Sequence, residues 1–530
     1  MKWTKRMKRT ALIMLIAVVA VIAGCQAVAG VDFNKVIVNS LKVDSAESKS
    51  TISLQLLTNK ELIDELELPA QQQRLLTLVS NLKLQVNEAK VQDANHMSAK
   101  GALTLGDSSS IGYGLVIDGD SAIITLDGAK KPFVLDMTGT TALETLGMEA
   151  PADSSAKPAS DETLTALGKK LIDQIGGYLV GTMPNPEGLS VVPAQASVNG
   201  ETLTLAHVNV QLDATQVWAW AKDYLTKLQG DREGLRKLIV GVTDLLMEDP
   251  ALLKAIVGDD SEEPIAKPTD EEINEIADSI IESIQSLTTV MKDTEKDKDF
   301  KKLVNKDSYV KADLYVDSKL DVRKTDVEVK FKPDASIFED EGIPFEGVVL
   351  NVNQEMWNVN GTVVSDKVDA QTKKSAQPIE ALAQKQGYEV LRMFDTKSTV
   401  YSLLRNDLHI GKQTVSLYVW DESNPPIITP AGVTLVPLRE VANQLGASLT
   451  ASNGKLTFYD PAKKTSIVLR KGNKQVLVNG KNQTWSFPVT AIGGTTYVAA
   501  RDLAKALGTT IQWIGDSNSK YIFMMEREVS

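Results

Sequence analysis

The amino-acid sequence predicts an α+β protein: a large curved antiparallel sheet with covering helices, followed by a small α/β domain made of two strand-helix-strand repeats. Three observations carry this. Short alternating segments give way to amphipathic helical segments and then return to alternation, the order expected of one sheet under a layer of helices. Asp213 with Gln216, and Thr269 with Glu272, are capping pairs that open helical stretches. A segment near the C-terminus recurs at an offset of 62 residues, and a fixed period calls for a structural explanation first.

The chain begins with Lys2, Lys5, Arg6, Lys8 and Arg9 and no acid nearby. An uncharged apolar run, Ala11–Ala23, follows and closes at Ile22-Ala23-Gly24-Cys25. This is the layout of a secretory signal peptide, and the run is shorter than the roughly 20 apolar residues of a spanning helix. The small residues before Cys25 resemble the lipobox of bacterial lipoproteins. The resemblance implies removal of residues 1–24, lipid attachment at Cys25 and a tether over 25–31. The chain is then exported and lipid-anchored on the extracytoplasmic face of the bacterial cell membrane. Cys25 is the one cysteine of 530 residues, so no disulfide, thiol nucleophile or Cys-based metal site can form. Losing five positive residues with the signal takes the net charge from −12 to −17. Such a chain is a poor partner for nucleic acid, and it repels anionic lipid and wall polymers unless divalent cations bridge them.

From Val31 the pattern is a short helix capped by Asp32, a strand at Thr51–Leu57, a helix at Ala70–Ser80 and then five short strands up to Met137. Asp118-Gly119-Asp120 is a tight turn among them. Ala150–Glu162 reads as a surface loop, followed by a helix from Leu164 to Leu179. Leu189–Val198, Asn199-Gly200 and Thr202–Leu212 form the clearest hairpin. Three helices then follow. The last carries a stripe of Ile273, Ile276, Ile280, Ile284, Leu287 and Met291, and the acidic, proline-containing loop Asp259–Thr269 precedes it. Trp218 and Trp220 fall on nearly opposite sides of their helix, so one of them at most is expected in the core. Strands return at Val310–Val352, and Trp357–Val364 looks like a further hairpin about Asn360-Gly361. The layout over 32–367 is similar to the lipoprotein-carrier fold, a half-open barrel holding helices against an apolar face. Residues 368–424 read as a linker and helical connection.

Gly432-Val-Thr-Leu-Val-Pro-Leu-Arg439-Glu-Val-Ala-Asn-Gln-Leu-Gly446 reappears as Gly494-Thr-Thr-Tyr-Val-Ala-Ala-Arg501-Asp-Leu-Ala-Lys-Ala-Leu-Gly508. In each copy a short strand leads into a helix, with Val441, Ala442 and Leu445, or Leu503, Ala504 and Leu507, toward the core. Gly446 and Gly508 are the helix stops. Arg439 and Arg501 sit at the strand-to-helix junctions, where a guanidinium can tie down carbonyls or an acid, or clamp an anionic ligand; both readings are open. With Val478-Asn479-Gly480 between the copies, residues 425–530 resemble the domain family named after the N-terminal domain of copper amine oxidases, also called the stalk domain. That resemblance implies an exported protein of a Gram-positive bacterium and a spacer or attachment role. Ala499 and Ala500 stand where the family commonly has Pro and a larger apolar residue.

Amine oxidation does not follow from the family name. It requires a tyrosine matured to a quinone in an Asn-Tyr context and three histidines on copper. The sequence has no Asn-Tyr pair, and His96, His207 and His409 lie in separate segments. No zinc-protease, phosphate-loop, nucleophile-elbow or dinucleotide motif occurs, and Asp118-Gly-Asp120 lacks the later ligands of a calcium loop. No catalytic residue, metal or cofactor is therefore expected. The reading is a non-enzymatic cell-envelope lipoprotein acting as a surface scaffold, attachment or binding module. Its expected partners are the membrane through the N-terminal lipid, the cell wall or another envelope protein. One alternative is an extracytoplasmic carrier of a lipid or other hydrophobic ligand, favoured by a cavity lined by the Leu82–Leu126 strands and the Ile273–Met291 helix. The other is a cell-wall or carbohydrate hydrolase, favoured by two close carboxylates, one with a raised pKa.

Overall fold

The structure, a computed structural model, describes residues 31–137, 167–248, 266–339, 344–515 and 520–530. The signal segment with Cys25, the Ala150–Glu162 loop and residues 259–265 lie outside these. The chain forms two compact units. One comprises residues up to Thr125 together with Val134–Lys374, the other Leu126–Phe133 together with Ser375–Ser530.

The first unit is built on one antiparallel sheet. Its strands are β1 (Ala46–Thr58), β2 (Asn81–Asp93), β3 (His96–Leu105), β4 (Ser109–Asp118), β5 (Ser121–Leu126), β6 (Phe133–Asp136), β7 (Ser190–Val198), β8 (Glu201–Asp213), β9 (Tyr309–Val316), β10 (Val322–Phe331) and β11 (Phe345–Trp357). They lie in the order β6-β5-β4-β3-β2-β1-β11-β10-β9-β8-β7. Two meanders are thus joined where β1 pairs antiparallel with β11. The β7–β8 connection is the expected two-residue turn, with Asn199 and Gly200 both at positive φ, 48° and 84°, as the twist of a hairpin favours.

Helices cover one side of the β8–β10 region. Asp213 and Thr269 close the capping boxes anticipated with Gln216 and Glu272, opening helices Ala214–Gly230 and Asp270–Thr294. Val210, Leu212, Val310, Ala312 and Val327 of the sheet pack with Val217, Trp220 and Met183. Three expectations are corrected here. Trp218 and Trp220 are both buried, because their helix has partners on two sides. Trp218 donates to Glu295 Oε1 at 2.8 Å and meets Phe300 edge-on, while Trp220 donates to the Pro184 carbonyl at 2.7 Å and stacks on Tyr224. On the Asp270–Thr294 helix the fully buried residues are Ile273, Ala277 and Met291, whereas Ile276 and Leu287 are about 40% exposed. The contact line follows the small Ala277, where a neighbouring helix can approach closely. Finally, Trp357–Val364 is not a hairpin. Asn358 and Asn360 take positive φ, and the turn is tied to the start of β1 through Asp44 N to Asn360 Oδ1 at 2.9 Å and Ser45 Oγ to the Gly361 carbonyl at 2.7 Å.

The second unit has a closed core. Strands Thr434–Pro437 and Thr495–Ala499 pair antiparallel, with Val436 directly opposite Val498. These two residues are 62 apart, so equivalent positions of the repeats face each other and a local two-fold axis passes through this pair. Each strand runs into an eight-residue helix, Leu438–Leu445 or Ala500–Leu507, that ends on a left-handed glycine, Gly446 or Gly508, both at φ 65°. After each helix comes a hairpin: Ser448–Ser452 with Lys455–Asp460, and Thr510–Gly515 with Lys520–Glu528. Residues 375–424, read from the sequence as linker and helical connection, lie within this unit. Val415 and Leu417 of strand Lys412–Tyr418 join its core, and Leu391 is fully buried. The helical connection expected there consists, over Ile379–Asp407, of a 3-10 turn, two short α-helices and a π turn.

A buried ion pair sits on the same pseudosymmetry. Ser448 pairs with Tyr459 and Thr510 with Glu526, so one step further along each ladder Asp460 lies opposite Ala447 and Arg527 opposite Thr509. Asp460 and Arg527 thus hold corresponding positions of the two repeats. Both side chains are essentially inaccessible and bond bidentately, at 2.5 and 3.0 Å. Arg527 also donates to Gln413 Oε1 and to the last-turn carbonyl of Leu507, and Gln413 donates to Leu445, the equivalent carbonyl of the first helix. One network therefore satisfies both helix ends.

Candidate functional site

Directly opposed residues of an antiparallel sheet share a face, so the helix-packed side of β8–β10 can be followed across the ladder. Val310 and Ala312 oppose Val329 and Val327, which oppose Leu350 and Val352 on β11. These oppose Leu54 and Ile52 on β1, then Leu82 and Leu84 on β2, then Leu105 and Leu103 on β3, with Ile111 opposite Leu103 on β4. One apolar face thus continues from β9 to β4. Its burial does not. On β1–β4 the buried non-glycine residues are only Ala46 and Ser98, whereas the leucines and isoleucines of this face are half-buried and Ile52 is 37% exposed. Helix Ala70–Ser80 packs on β1 and β2 yet has no buried residue.

The face is kept smooth at its middle. A Cβ on Gly101 would lie 1.8 Å from the Gln85 carbonyl oxygen and 2.9 Å from the Tyr113 hydroxyl. Tyr113, opposite Gly101, instead lies across β3 toward β2, its hydroxyl 3.5 Å from the Gln85 carbonyl, and burial raises its pKa. At the edge of the face a recess of about 310 Å³ opens beneath helix Phe33–Ser40, lined by Val36, Ile37, Leu41, Leu314, Val322 and Met356 together with the polar Arg323 and Gln354. This is not the cavity the sequence suggested. The recess lies toward β9–β11, and the Leu82–Leu126 strands contribute an open surface beside it.

The other candidate residues do not converge. Arg439 and Arg501 are exposed, and among the described residues neither has a hydrogen-bond or ion-pair partner, so the tie to a carbonyl or acid that their junctions allow is not made. His96 lies 2.8 Å from Asp93 Oδ1, His207 lies 2.6 Å from Asp313 and stacks on Tyr315, and His409 approaches Glu528 at 3.8 Å. These are three separate places, and among the described residues no three metal-binding side chains come together. Asp118–Asp120 is a hairpin turn with Gly119 at φ 63°, and Asp118 pairs with Lys373.

Burial, and secondarily the charge of Asp317, raises the Asp321 carboxyl pKa. The pair belongs to the β9–β10 turn. Asp317 accepts the Lys319 and Asp321 amides and an Arg323 bond at 3.1 Å, which locks the turn and occupies the carboxylate that would serve as a base.

Comparison with known families assigns the C-terminal region. Residues 415–522 match the family described as the copper amine oxidase N-terminal domain. The match covers the two-repeat core, including strand Lys412–Tyr418 from Val415 onward, a strand that the sequence pattern alone places in the connection. This is a non-catalytic, stalk-type domain, compatible with a non-enzymatic scaffold role. No curated protein matches the chain.

Proposed function

We propose that the chain is a non-enzymatic, lipid-anchored binding protein of the bacterial cell envelope. Cys25 carries the anchor, the first unit holds a hydrophobic ligand, and the second is an attachment module. The observation that supports this most is the half-buried apolar face running over β11, β1, β2, β3 and β4 next to the recess under helix Phe33–Ser40. A contiguous apolar surface of this extent normally marks an interaction site. The ligand it suits is long and alkyl-like, because the face is wide, branched-aliphatic and poor in directional polar groups.

Two experiments test the reading. Native mass spectrometry of the chain from residue 26 onward, purified from its own host, is expected to show a co-purifying hydrophobic ligand; a clean apo mass counts against binding and leaves the scaffold role. Cys25→Ser is expected to release the protein from the membrane fraction. Retention of a variant still cleaved after Gly24 would show that lipid is not the anchor.

A further inference from the structure

The second unit carries a charge distribution opposite to that of the chain. Between Val441 and Arg501 there are eight basic residues and one acid, a net charge of +7, so the remainder of a chain at −12 carries −19. The one acid is Asp460, fully buried and neutralised by Arg527. The positive charge is therefore unopposed at the surface of this stretch.

The fold sorts these residues. Ser448–Ser452, Lys455–Asp460, Thr465–Leu469, Gln475–Val478 and Lys481–Thr484 form a five-stranded meander in chain order. Its turns alternate between two ends. Lys455, Arg470, Lys471 and Lys474 gather at one end, and Lys463, Lys464 and Lys481 at the other. All seven are exposed, and among the described residues none has an ion-pair or side-chain hydrogen-bond partner. The ends are about 17–20 Å apart, the length of a strand of five or six residues.

Between the ends, one face turns Phe458, Ile467, Leu469, Val476 and Val478 into the core. The opposite face carries Thr450, Thr457, Ser466, Gln475, Asn482 and Thr484 around a central half-buried pair, Val468 and Leu477, with Tyr459 at 43% exposed. The acids that flank the meander in the sequence are already engaged: Asp502 accepts from the amide and hydroxyl of Ser486, and Glu440 accepts from Gln444 Nε2.

We infer that this sheet is a docking surface for a flexible, hydroxyl-rich phosphodiester polymer of the polyol-phosphate type, lying across the outward face with its hydroxyls on the Thr, Ser, Asn and Gln side chains and its phosphates at the two lysine-rich ends. Six of the seven cations are lysines, point charges suited to a mobile polyanion, whereas rigid carboxylate or phosphate forks select arginine. A membrane surface fits less well, because the aliphatic members of the face, Val468 and Leu477, are half-buried and Tyr459 alone among its large apolar groups is exposed. Single-stranded nucleic acid fits less well too, because Tyr459 is the one aromatic offered for stacking. The chain's overall negative charge does not cancel the site, since at physiological salt fields decay over about 8 Å.

The inference deepens the attachment role proposed above but is tested separately from it. The full chain is titrated with purified poly(glycerol phosphate), with anionic phosphatidylglycerol vesicles and with single-stranded DNA at several salt concentrations. The four-residue variant K455S/R470S/K471S/K474S and the three-residue variant K463S/K464S/K481S are run alongside. Binding of the polymer that weakens with salt, falls at least tenfold in the four-residue variant and falls further when both sets are combined supports the assignment. No binding at low salt, equal binding by all variants, or a preference for vesicles or DNA overturns it. Unchanged thermal midpoints, expected because every substituted side chain is exposed, keep a folding defect from imitating the result. Recovery of the host's own full chain in the soluble fraction, still binding the polymer, would sink the lipid anchor and leave this surface standing.

Discussion

The two units use the same residue types to opposite ends. In the second, the repeat strands and helices enclose Val436, Leu438, Val441, Leu445, Phe458, Ile467, Leu469, Val498 and Leu503 at no measurable exposure. In the first, an equally aliphatic face continues past its helices and stays half-buried over four strands. A closed core contributes stability, about 25 cal/mol for each Å² of apolar surface removed from water. An open one leaves part of that free energy to be gained when something else covers it. The difference separates a module that holds its own shape from a surface that awaits a ligand.

The largest effect expected from breaking the comparison is at Arg527. Arg527→Met leaves Asp460 charged and unpaired in the closed core and should destabilise the second unit by about 3–5 kcal/mol. Combining it with Asp460→Leu should restore much of the loss. Chemical denaturation followed by tryptophan fluorescence reads both. A matched pair of leucines sharpens the contrast: Leu445→Ala, fully buried, should cost about 3 kcal/mol, and half-buried Leu84→Ala about 1 kcal/mol. Equal costs by the same denaturation measurement would mean that β2 is as enclosed as the stalk core.

The smallest effect is electrostatic. Hydrogen bonds from Lys100 and then Lys90 hold the Asp366 carboxyl below the usual carboxylate range. A depressed pKa adds stability above the unfolded value of about 3.9 and loses it as pH falls through the folded value. Asp366→Asn should therefore cost about 1 kcal/mol at pH 7 in this partly exposed network. Its denaturation midpoint should converge with that of the unaltered protein as the pH falls through the depressed folded value of Asp366.

Local signals in the sequence were read well. Both capping boxes, the Asn199-Gly200 turn and the two helix-stop glycines depend on neighbours within a few positions, and all are present. What depended on distant partners was not legible. Alternation on β1–β4 shows which side is apolar but not whether anything covers it. Helical spacing separates Trp218 from Trp220 but cannot show that both sides of that helix are packed. The cationic meander was readable, since no acid occurs from Pro461 to Arg501, but net charge over the whole chain averages it away. Arg439 and Arg501 were conspicuous through repetition, yet they stand exposed and unpaired, while the buried arginine that organises the unit, Arg527, lies outside the repeated motif.

The open face is the central claim, and titration with a fluorescent long-chain acyl probe tests it most directly. The unaltered protein should bind the probe saturably. Leu84→Asp combined with Leu103→Asp, which places two charges side by side on β2 and β3, should weaken binding at least tenfold while the second unit melts unchanged. Absence of saturable binding, or equal affinity in both proteins, would contradict the account.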